Sequence, residues 1–231
     1  MRIVVDGQPD AAGALRGALE IRLEPGWKTY WRDPGEAGIP PTVTVVQPAD
    51  GGGVEIGFPA PRRFDDGYSV WAGYNQSVAL PLTFTLPPGT SGVVTVSAFL
   101  GICEIICIPV QADFTFDLAS SADADRATVE AAFDALPGEA KPGFRATLAK
   151  SGKDSLTVRA ELPPDSAPAE LFVASTENWA FGVPKLLQGG GGATFDIPVL
   201  FAPEGNAAPE TVHYTLVAGG VAVAETLQID R

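Results

Sequence analysis

The sequence lacks any run of about 18 apolar residues, so no segment is long enough to cross a membrane as a helix. Basic residues are also scarce: 15 lysines and arginines stand against 28 aspartates and glutamates, which gives a net charge of −13. This balance argues against binding to nucleic acid or to anionic membrane surfaces, because both attract positive charge. Met1 is the only methionine and His213 the only histidine, and we expect no metal or cofactor.

Turn-forming residues, in contrast, are plentiful, with 21 prolines and 26 glycines. They separate short segments of alternating apolar and polar residues, such as Leu15–Leu23 and Val93–Leu100, a pattern typical of β-strands. Residues 121–136 break this pattern, because they are rich in helix formers and carry apolar residues on one face. The sequence therefore predicts an all-β protein with a β-sandwich over 1–119, a helical linker over 120–142 and a second, smaller β-sandwich over 143–231.

The only two cysteines, Cys103 and Cys107, are separated by three residues. A disulfide between them would close a very small loop and contribute only about 2 kcal/mol, against about 4.7 kcal/mol for a loop of 100 residues. Such a bridge is a weak stabilising element for a chain of 231 residues. The spacing is therefore better explained by reversible thiol–disulfide exchange, in which the bond opens and closes.

The two cysteines cannot be bridged on one continuous strand, where positions four apart lie about 13 Å from each other. Because strand-like segments flank them, the sequence predicts a hairpin with Glu104, Ile105 and Ile106 at its tip. These residues are poor turn formers, and two isoleucines at an exposed bend are unfavourable unless something covers them. We therefore interpret the three tip residues as candidates for docking a partner protein.

Three motifs in this order resemble a known family. They are Trp27–Gly38, with three aromatic residues in its first five positions, then Pro59–Phe64, and then Cys103–Pro109. Together they resemble the N-terminal periplasmic region of the DsbD/ScsB membrane thiol:disulfide reductases, and most closely the ScsB-like branch with its Cys-x-x-x-Cys spacing. The resemblance extends over residues 20–110.

This resemblance implies an immunoglobulin-like fold in which Cys103 and Cys107 form one redox-active pair. It further implies a thiol:disulfide oxidoreductase of the periplasm, whose electron donor is a thioredoxin-like domain of the same membrane reductase. The implied acceptors are periplasmic proteins of thioredoxin fold, such as disulfide isomerases. The segment itself has no membrane span but would belong to a membrane protein, and the resemblance implies no cofactor.

The resemblance also suggests how the pair is protected and used. In DsbD a loop with an aromatic residue caps the disulfide, and residues 65–71 occupy the corresponding place, with Tyr68 or Trp71 as the shielding residue. By analogy with the family, Cys107 is expected to form the intermolecular bond with a partner.

Two other interpretations of the sequence stay open. The chain could be a non-catalytic, immunoglobulin-like binding module in which the disulfide only pins one hairpin. Alternatively, the two thiolates could bind Cu(I) in a protein linked to copper tolerance, because soft thiolate ligands suit that ion.

Overall fold

A computed structural model describes residues 1–35, 37–49, 51–65, 67–119, 123–166, 168–188, 192–203 and 209–229. Within these ranges the chain forms 19 strands and a single α-helix, so the predicted all-β class is confirmed. The chain divides into two units, Met1–Leu136 and Pro137–Arg231.

Among its described residues, the first unit contains ten strands of 4 to 11 residues. They are β1 (Arg2–Val5), β2 (Ala14–Ile21), β3 (Lys28–Gly35), β4 (Thr42–Gln47), β5 (Gly53–Ile56), β6 (Arg62–Asp65), β7 (Val70–Tyr74), β8 (Val78–Thr85), β9 (Val93–Cys103) and β10 (Cys107–Asp117).

These strands form two antiparallel sheets. One has the order β1-β2-β8-β5, and the other has the order β10-β9-β3-β7-β6, with β4 also paired to β9. Phe84 on β8 and Phe116 on β10 meet between the sheets, with their ring centroids 5.7 Å apart. The first unit is therefore a β-sandwich, in which each sheet turns one face towards a shared core.

Strand β9 shows how this core positions the cysteines. Its residues Val94, Val96, Ala98 and Leu100 are fully buried. Because side chains alternate along a strand, these residues point to the core, and Cys103 lies on the opposite, outer face of the sheet. The cysteine pair is thus placed at the end of the sandwich without interrupting its core.

The helix α1 (Asp123–Asp134) packs on the first unit. Its residues Val129 and Ala132 are buried in a cluster with Val4 and Ala18 of the sheet. The structure differs here from the sequence-based division, in which the helix belongs to a linker, because the apolar face of the helix finds a partner in β1 and β2. Among the residues described, no helix is both long and apolar enough to span a membrane.

The described part of the second unit contains nine strands. They are β11 (Gly138–Glu139), β12 (Arg145–Ser151), β13 (Ser155–Glu161), β14 (Ala169–Val173), β15 (Ala180–Phe181), β16 (Lys185–Gln188), β17 (Gly192–Phe201), β18 (Glu210–Ala218) and β19 (Val221–Ile229).

These nine strands also form two sheets. Their orders are β11-β19-β18-β14 and β12-β13-β17-β15, with β16 paired to β17. The hydroxyl of Tyr214 on β18 accepts a hydrogen bond from the backbone N–H of Ala146 on β12, at 3.0 Å. This bond links the two sheets around a core that includes Trp179, Phe195 and Leu216.

Candidate redox site

The two cysteines form a disulfide at the end of the hairpin made by β9 and β10. Cys103 is the last residue of β9 and Cys107 the first of β10, and the two lie directly opposite each other with their Cα atoms 4.1 Å apart. Glu104, Ile105 and Ile106 form the bend between the strands. The hairpin that the four-residue spacing predicts is therefore present.

The two sulfur-bearing residues differ sharply in accessibility. Cys103 is only 1% exposed, whereas Cys107 lies at the surface. A thiolate from another protein must approach the sulfur it attacks along the line of the disulfide bond, so it can reach Cys107 far more easily than Cys103.

A buried tyrosine hydroxyl contacts both sulfur atoms. The Tyr30 hydroxyl oxygen lies 2.8 Å from Cys103 Sγ and 3.1 Å from Cys107 Sγ. A neutral sulfur is a weak acceptor, but a thiolate is a strong one, and hydrogen bonds to charged groups are stronger than those between neutral groups. When the disulfide opens, this hydroxyl can therefore donate a hydrogen bond to the thiolate that leaves.

Two glycines make room for the Tyr30 ring. A Cβ atom at Gly38 would lie 2.6 Å from the ring, and one at Gly101 would lie 3.2 Å from it. Gly38 also has a φ of +135°, which a residue with a side chain rarely adopts. The ring is thus held between two positions that only glycine fits well, which fixes the hydroxyl beside the sulfurs.

Trp71, one of the two predicted shielding residues, lies in the same cluster. Its indole is 4% exposed, packs edge-on against Tyr30 at 5.7 Å and stacks on Phe64 at 4.2 Å. Together with Cys103 these aromatic residues form a small apolar cluster outside the main core. The cluster excludes water from the Cys103 side of the disulfide.

A lysine also belongs to this region. Lys28 pairs with Cys103 across β3 and β9, and its Nζ lies 4.4 Å from the centroid of the Trp71 ring. The cation rests on the negative face of the indole, as expected for a cation–π contact. Sequence reasoning missed both Lys28 and Tyr30 as site residues, because each is more than 70 positions from the cysteines.

Tyr68, the other predicted shielding residue, lies elsewhere. Its side chain is 98% exposed, so it does not cover the disulfide in this structure. The cause is a tight turn: the N–H of Gly67 donates to the Asp65 carboxylate at 2.8 Å, and Gly67 has a φ of +82°. This turn carries Tyr68 away from the sheet, while Asp66, in the same predicted cap segment, lies outside the described residues.

The hairpin tip presents an apolar surface beside the exposed Cys107. Ile105 is 94% exposed, Ile106 75% and Ile108 47%, and Glu104 is exposed between them and Cys103. Clustered exposed isoleucines are uncommon on a monomer and are typical of a contact surface for another protein. All three predicted docking residues are therefore accessible.

The part of the chain that the structure describes contains no group of three or more histidine, cysteine, aspartate or glutamate side chains arranged to hold a metal ion. The arrangement that it does contain is one exposed cysteine, one buried cysteine and a hydroxyl that contacts both sulfur atoms.

The chain matches a known family. The family described as "Thiol:disulfide interchange protein DsbD, N-terminal" matches residues 5–119, which contain the whole site. A search of curated proteins finds no significant match.

Among solved structures, the chain is similar to the N-terminal periplasmic domain of ScsB from Proteus mirabilis, with a TM-score of 0.79 and 21% sequence identity. The alignment covers 98% of this chain and 91% of that one, and it supports the fold. Two further structures have TM-scores too low to indicate a shared fold. They are domains 4–9 of the surface layer protein SbsC (TM-score 0.22, 10% identity, 100% of this chain and 31% of that one) and the C-terminal domain of AspA from Streptococcus pyogenes (0.20, 11%, 99% and 98%).

Proposed function

Residues 5–119 belong to the family of N-terminal domains of the thiol:disulfide interchange protein DsbD, and from this we propose that the chain is an electron-relay module of the periplasm. In this proposal a thioredoxin-like domain of the same membrane reductase reduces the Cys103–Cys107 disulfide. The resulting dithiol then reduces oxidised thioredoxin-fold proteins such as disulfide isomerases. The observation that carries the proposal is the contrast between an exposed Cys107 and a buried Cys103 beside a fixed hydroxyl.

The first step is attack by the donor's thiolate on Cys107 Sγ. A bond forms between the donor sulfur and Cys107, the Cys103–Cys107 bond breaks, and Cys103 leaves with the electron pair as a thiolate. Exchange is faster when the leaving thiolate is stabilised. The Tyr30 hydroxyl, 2.8 Å from Cys103 Sγ, supplies a hydrogen bond at the atom where the charge appears.

The second step releases the reduced module. The donor's second cysteine, as a thiolate, attacks the donor sulfur that is bonded to Cys107. Cys107 then leaves as a thiolate, and the donor's two cysteines form a disulfide. Two electrons have then moved from the donor to this pair, and both thiolates take up protons from solvent. Transfer to an acceptor runs through the same steps in reverse, with Cys107 attacking the acceptor's disulfide.

The proposal is tested by mixing the oxidised protein with reduced thioredoxin as the probe, stopping the reaction with acid and counting alkylated cysteines by mass. We expect both cysteines to become reduced by the thioredoxin dithiol. A thioredoxin whose two active-site cysteines are replaced by serine serves as the control and should cause no reduction. If the active thioredoxin reduces the pair no faster than a simple monothiol does, the proposed function is wrong.

Replacing Tyr30 with phenylalanine should slow the reduction of the disulfide about 3- to 10-fold. A hydrogen bond to a charged group contributes about 1.5–3 kcal/mol. About half of this free energy should appear in the activation barrier, because the leaving sulfur carries only part of its negative charge in the transition state. The rate is measured by stopped-flow with reduced thioredoxin, and an unchanged rate would contradict the role given to the hydroxyl.

Tyr74→Phe is the matched control for this variant. The buried Tyr74 hydroxyl donates to the Pro59 carbonyl oxygen at 2.8 Å, and its burial raises the pKa of the phenol. Losing this bond should lower the free energy of unfolding by about 0.5–1.5 kcal/mol. It should leave the exchange rate unchanged, so a general loss of stability is distinguished from an effect at sulfur.

Trp71→Ala and Tyr68→Ala should behave very differently. Removing the buried indole should lower the free energy of unfolding by about 3–5 kcal/mol and open the Cys103 side of the disulfide to solvent. Removing the Tyr68 ring, which is 98% exposed, should change neither the stability nor the rate of reduction by dithiothreitol. Denaturant unfolding and a dithiothreitol assay check both variants, and faster reduction of the Tyr68→Ala variant would show that the ring shields the pair.

A further inference from the structure

The Trp71 ring carries a different neighbour on each of its faces. Phe64 stacks on one face, with the ring centroids 4.2 Å apart and the planes inclined by 16°. Because that face is covered, the Lys28 Nζ, 4.4 Å from the Trp71 centroid, lies over the other face. The Tyr30 ring meets the indole edge-on at 5.7 Å. The indole is thus fixed by packing, and it holds the lysine ammonium in a defined place.

The strand order places Lys28 closer to Cys103 than to Cys107. Lys28 lies directly opposite Cys103, whereas β9 separates β3 from β10, which carries Cys107. The Cβ atoms of such opposite residues lie about 4.5–5.5 Å apart, and their side chains share one face of the sheet. The charge of Lys28 therefore acts mainly on the buried cysteine.

Packed side chains surround Cys103 and strengthen this interaction. Cys103, Tyr30 and Trp71 are 1%, 2% and 4% exposed, and they form one cluster against which Phe64 packs. Charges interact more strongly across packed protein than across water, and dissolved salt screens them less there. A fixed cation next to this cluster therefore affects Cys103 more than the same cation would at a fully solvated position.

Negative charge disfavours a thiolate at this site. Glu104 follows Cys103, and its carboxylate turns back over Gly26, where a Cβ atom would lie 3.7 Å from Oε1. The chain as a whole carries a net charge of −13. The charged residues of β6, Arg62 among them, stand three strands away from β9. Because negative charges raise the pKa of a thiol, Lys28 supplies an offsetting positive charge where Cys103 lies.

We infer that the Lys28 ammonium, held on Trp71, stabilises the negative charge that forms on Cys103 when the disulfide opens. The inference rests on the proposed function, because this charge forms only if the bond exchanges. When a thiolate bonds to Cys107 and the Cys103–Cys107 bond breaks, the electron pair of that bond stays on Cys103. The Tyr30 hydroxyl, 2.8 Å from this sulfur, donates a hydrogen bond, and Lys28 adds a charge that is already in place before the reaction.

The first test measures the pKa of the Cys103 thiol by NMR. Cys107→Ser removes the second thiol, so that one titration is observed, and the signal of the isotope-labelled Cys103 Cβ is followed against pH. Lys28→Gln, which removes the charge and keeps most of the side chain, should raise this pKa by about 0.5–1 unit. Lys28→Arg, which keeps the charge, should change it by less than about 0.3 unit. An equal rise in both variants, or no rise in the glutamine variant, would overturn the inference.

Two further variants complete this test. Arg16→Gln removes one positive charge from β2, in the other sheet of the same unit, and it should leave the pKa of Cys103 unchanged. A rise equal to that caused by Lys28→Gln would show an effect of net charge alone and would overturn the inference. Lys28→Met replaces Lys28→Gln if the glutamine variant gives the spectrum of an unfolded protein.

The second test measures how fast small thiols open the disulfide in the protein that keeps both cysteines. Mercaptoethanol attacks as an anion, whereas the thiolate of cysteamine also carries an ammonium group and has no net charge. If Lys28 stabilises the leaving Cys103 thiolate, Lys28→Gln should slow both reactions by the same factor, about 2- to 3-fold. Slowing of the mercaptoethanol reaction alone would mean that Lys28 attracts the attacking anion, and this result would overturn the inference.

Neither test uses a partner protein, so failure of the inference is distinguishable from failure of the proposed function. An unchanged pKa of Cys103 in the Lys28→Gln variant overturns the role of Lys28 and leaves the exchange with thioredoxin untouched. Failure of reduced thioredoxin to reduce the pair overturns the proposed function, and the inference with it.

Discussion

Replacing Cys107 with serine should abolish the mixed disulfide with a thioredoxin-fold dithiol, whereas replacing Cys103 with serine should make it accumulate. The physical reason is access, because Cys107 is exposed and Cys103 is only 1% exposed beneath the cluster of Tyr30 and Trp71. In the Cys107→Ser variant the remaining thiol is shielded from a protein-sized partner. In the Cys103→Ser variant the remaining thiol is reachable, and no second thiol resolves the product.

Each reduced variant is incubated with a thioredoxin whose resolving cysteine is replaced by serine. The remaining active-site cysteine of this thioredoxin is first joined to a small aromatic thiol by a disulfide, and the variant's thiolate displaces that thiol. Non-reducing electrophoresis and intact mass then quantify the product. We expect at least about a hundredfold difference in rate between the two variants, since burial removes most of the approaches to Cys103. Unfolding both proteins in guanidinium should make their thiols react equally, which controls for any intrinsic difference. Equal rates in the native proteins would contradict the assignment of Cys107 as the cysteine that bonds to the partner.

Replacing both Ile105 and Ile106 with aspartate should lower the second-order rate of reduction by thioredoxin about 10- to 100-fold. Full burial of one isoleucine side chain contributes about 1.5–3 kcal/mol. Two partly buried ones would therefore contribute about 1.5–3 kcal/mol to docking, and each 1.4 kcal/mol is a factor of ten. Because these side chains are 94% and 75% exposed in the free protein, the two substitutions should change the free energy of unfolding little.

Two controls separate docking from chemistry. The rate of reduction of this double variant by dithiothreitol should stay within about twofold of that of the unchanged protein, since a small dithiol needs no docking surface. Leu200→Asp, which alters an apolar residue that is 66% exposed in the other unit, should leave the rate with thioredoxin unchanged. If the double variant reacts with thioredoxin at the unchanged rate, the hairpin tip is not the docking surface.

The hairpin could be predicted from the sequence because its information is local. The spacing of Cys103 and Cys107 excludes a bridge along one strand, and the flanking alternation requires strands on both sides. The same reasoning predicted that the isoleucines at the hairpin tip are exposed, since side chains in a three-residue bend cannot reach the core. Local periodicity likewise identified the helix, but it could not show which surface the helix covers.

The hydroxyl of Tyr30 could not be predicted, because its position depends on pairing across the sheet. It reaches Cys103 only because β3 and β9 are neighbours and because Gly38 and Gly101 leave space for its ring. In the sequence, Tyr30 is one of several aromatic residues that are equally consistent with the core. A signal was nevertheless present, since Trp27–Gly38 is one of the motifs that carry the family resemblance.

Tyr68 and Trp71 show the limit of an inference by position. The family resemblance identified the segment that contains both, but the sequence did not distinguish the turn from the strand within it. Trp71 lies on β7 and turns into the cluster, whereas Tyr68 follows the turn at Gly67 and faces solvent. A glycine with positive φ next to an aspartate is the local feature that separates them.

The central claim is that the Cys103–Cys107 disulfide is an exchanging bond and not a structural one. The equilibrium reduction potential tests this most directly, measured in glutathione or dithiothreitol buffers with alkylation and mass detection. We expect a value between about −270 and −180 mV, the range of thioredoxin-like proteins that exchange electrons with one another. A value well below about −300 mV would mark a structural bridge and would favour a binding module over an electron relay.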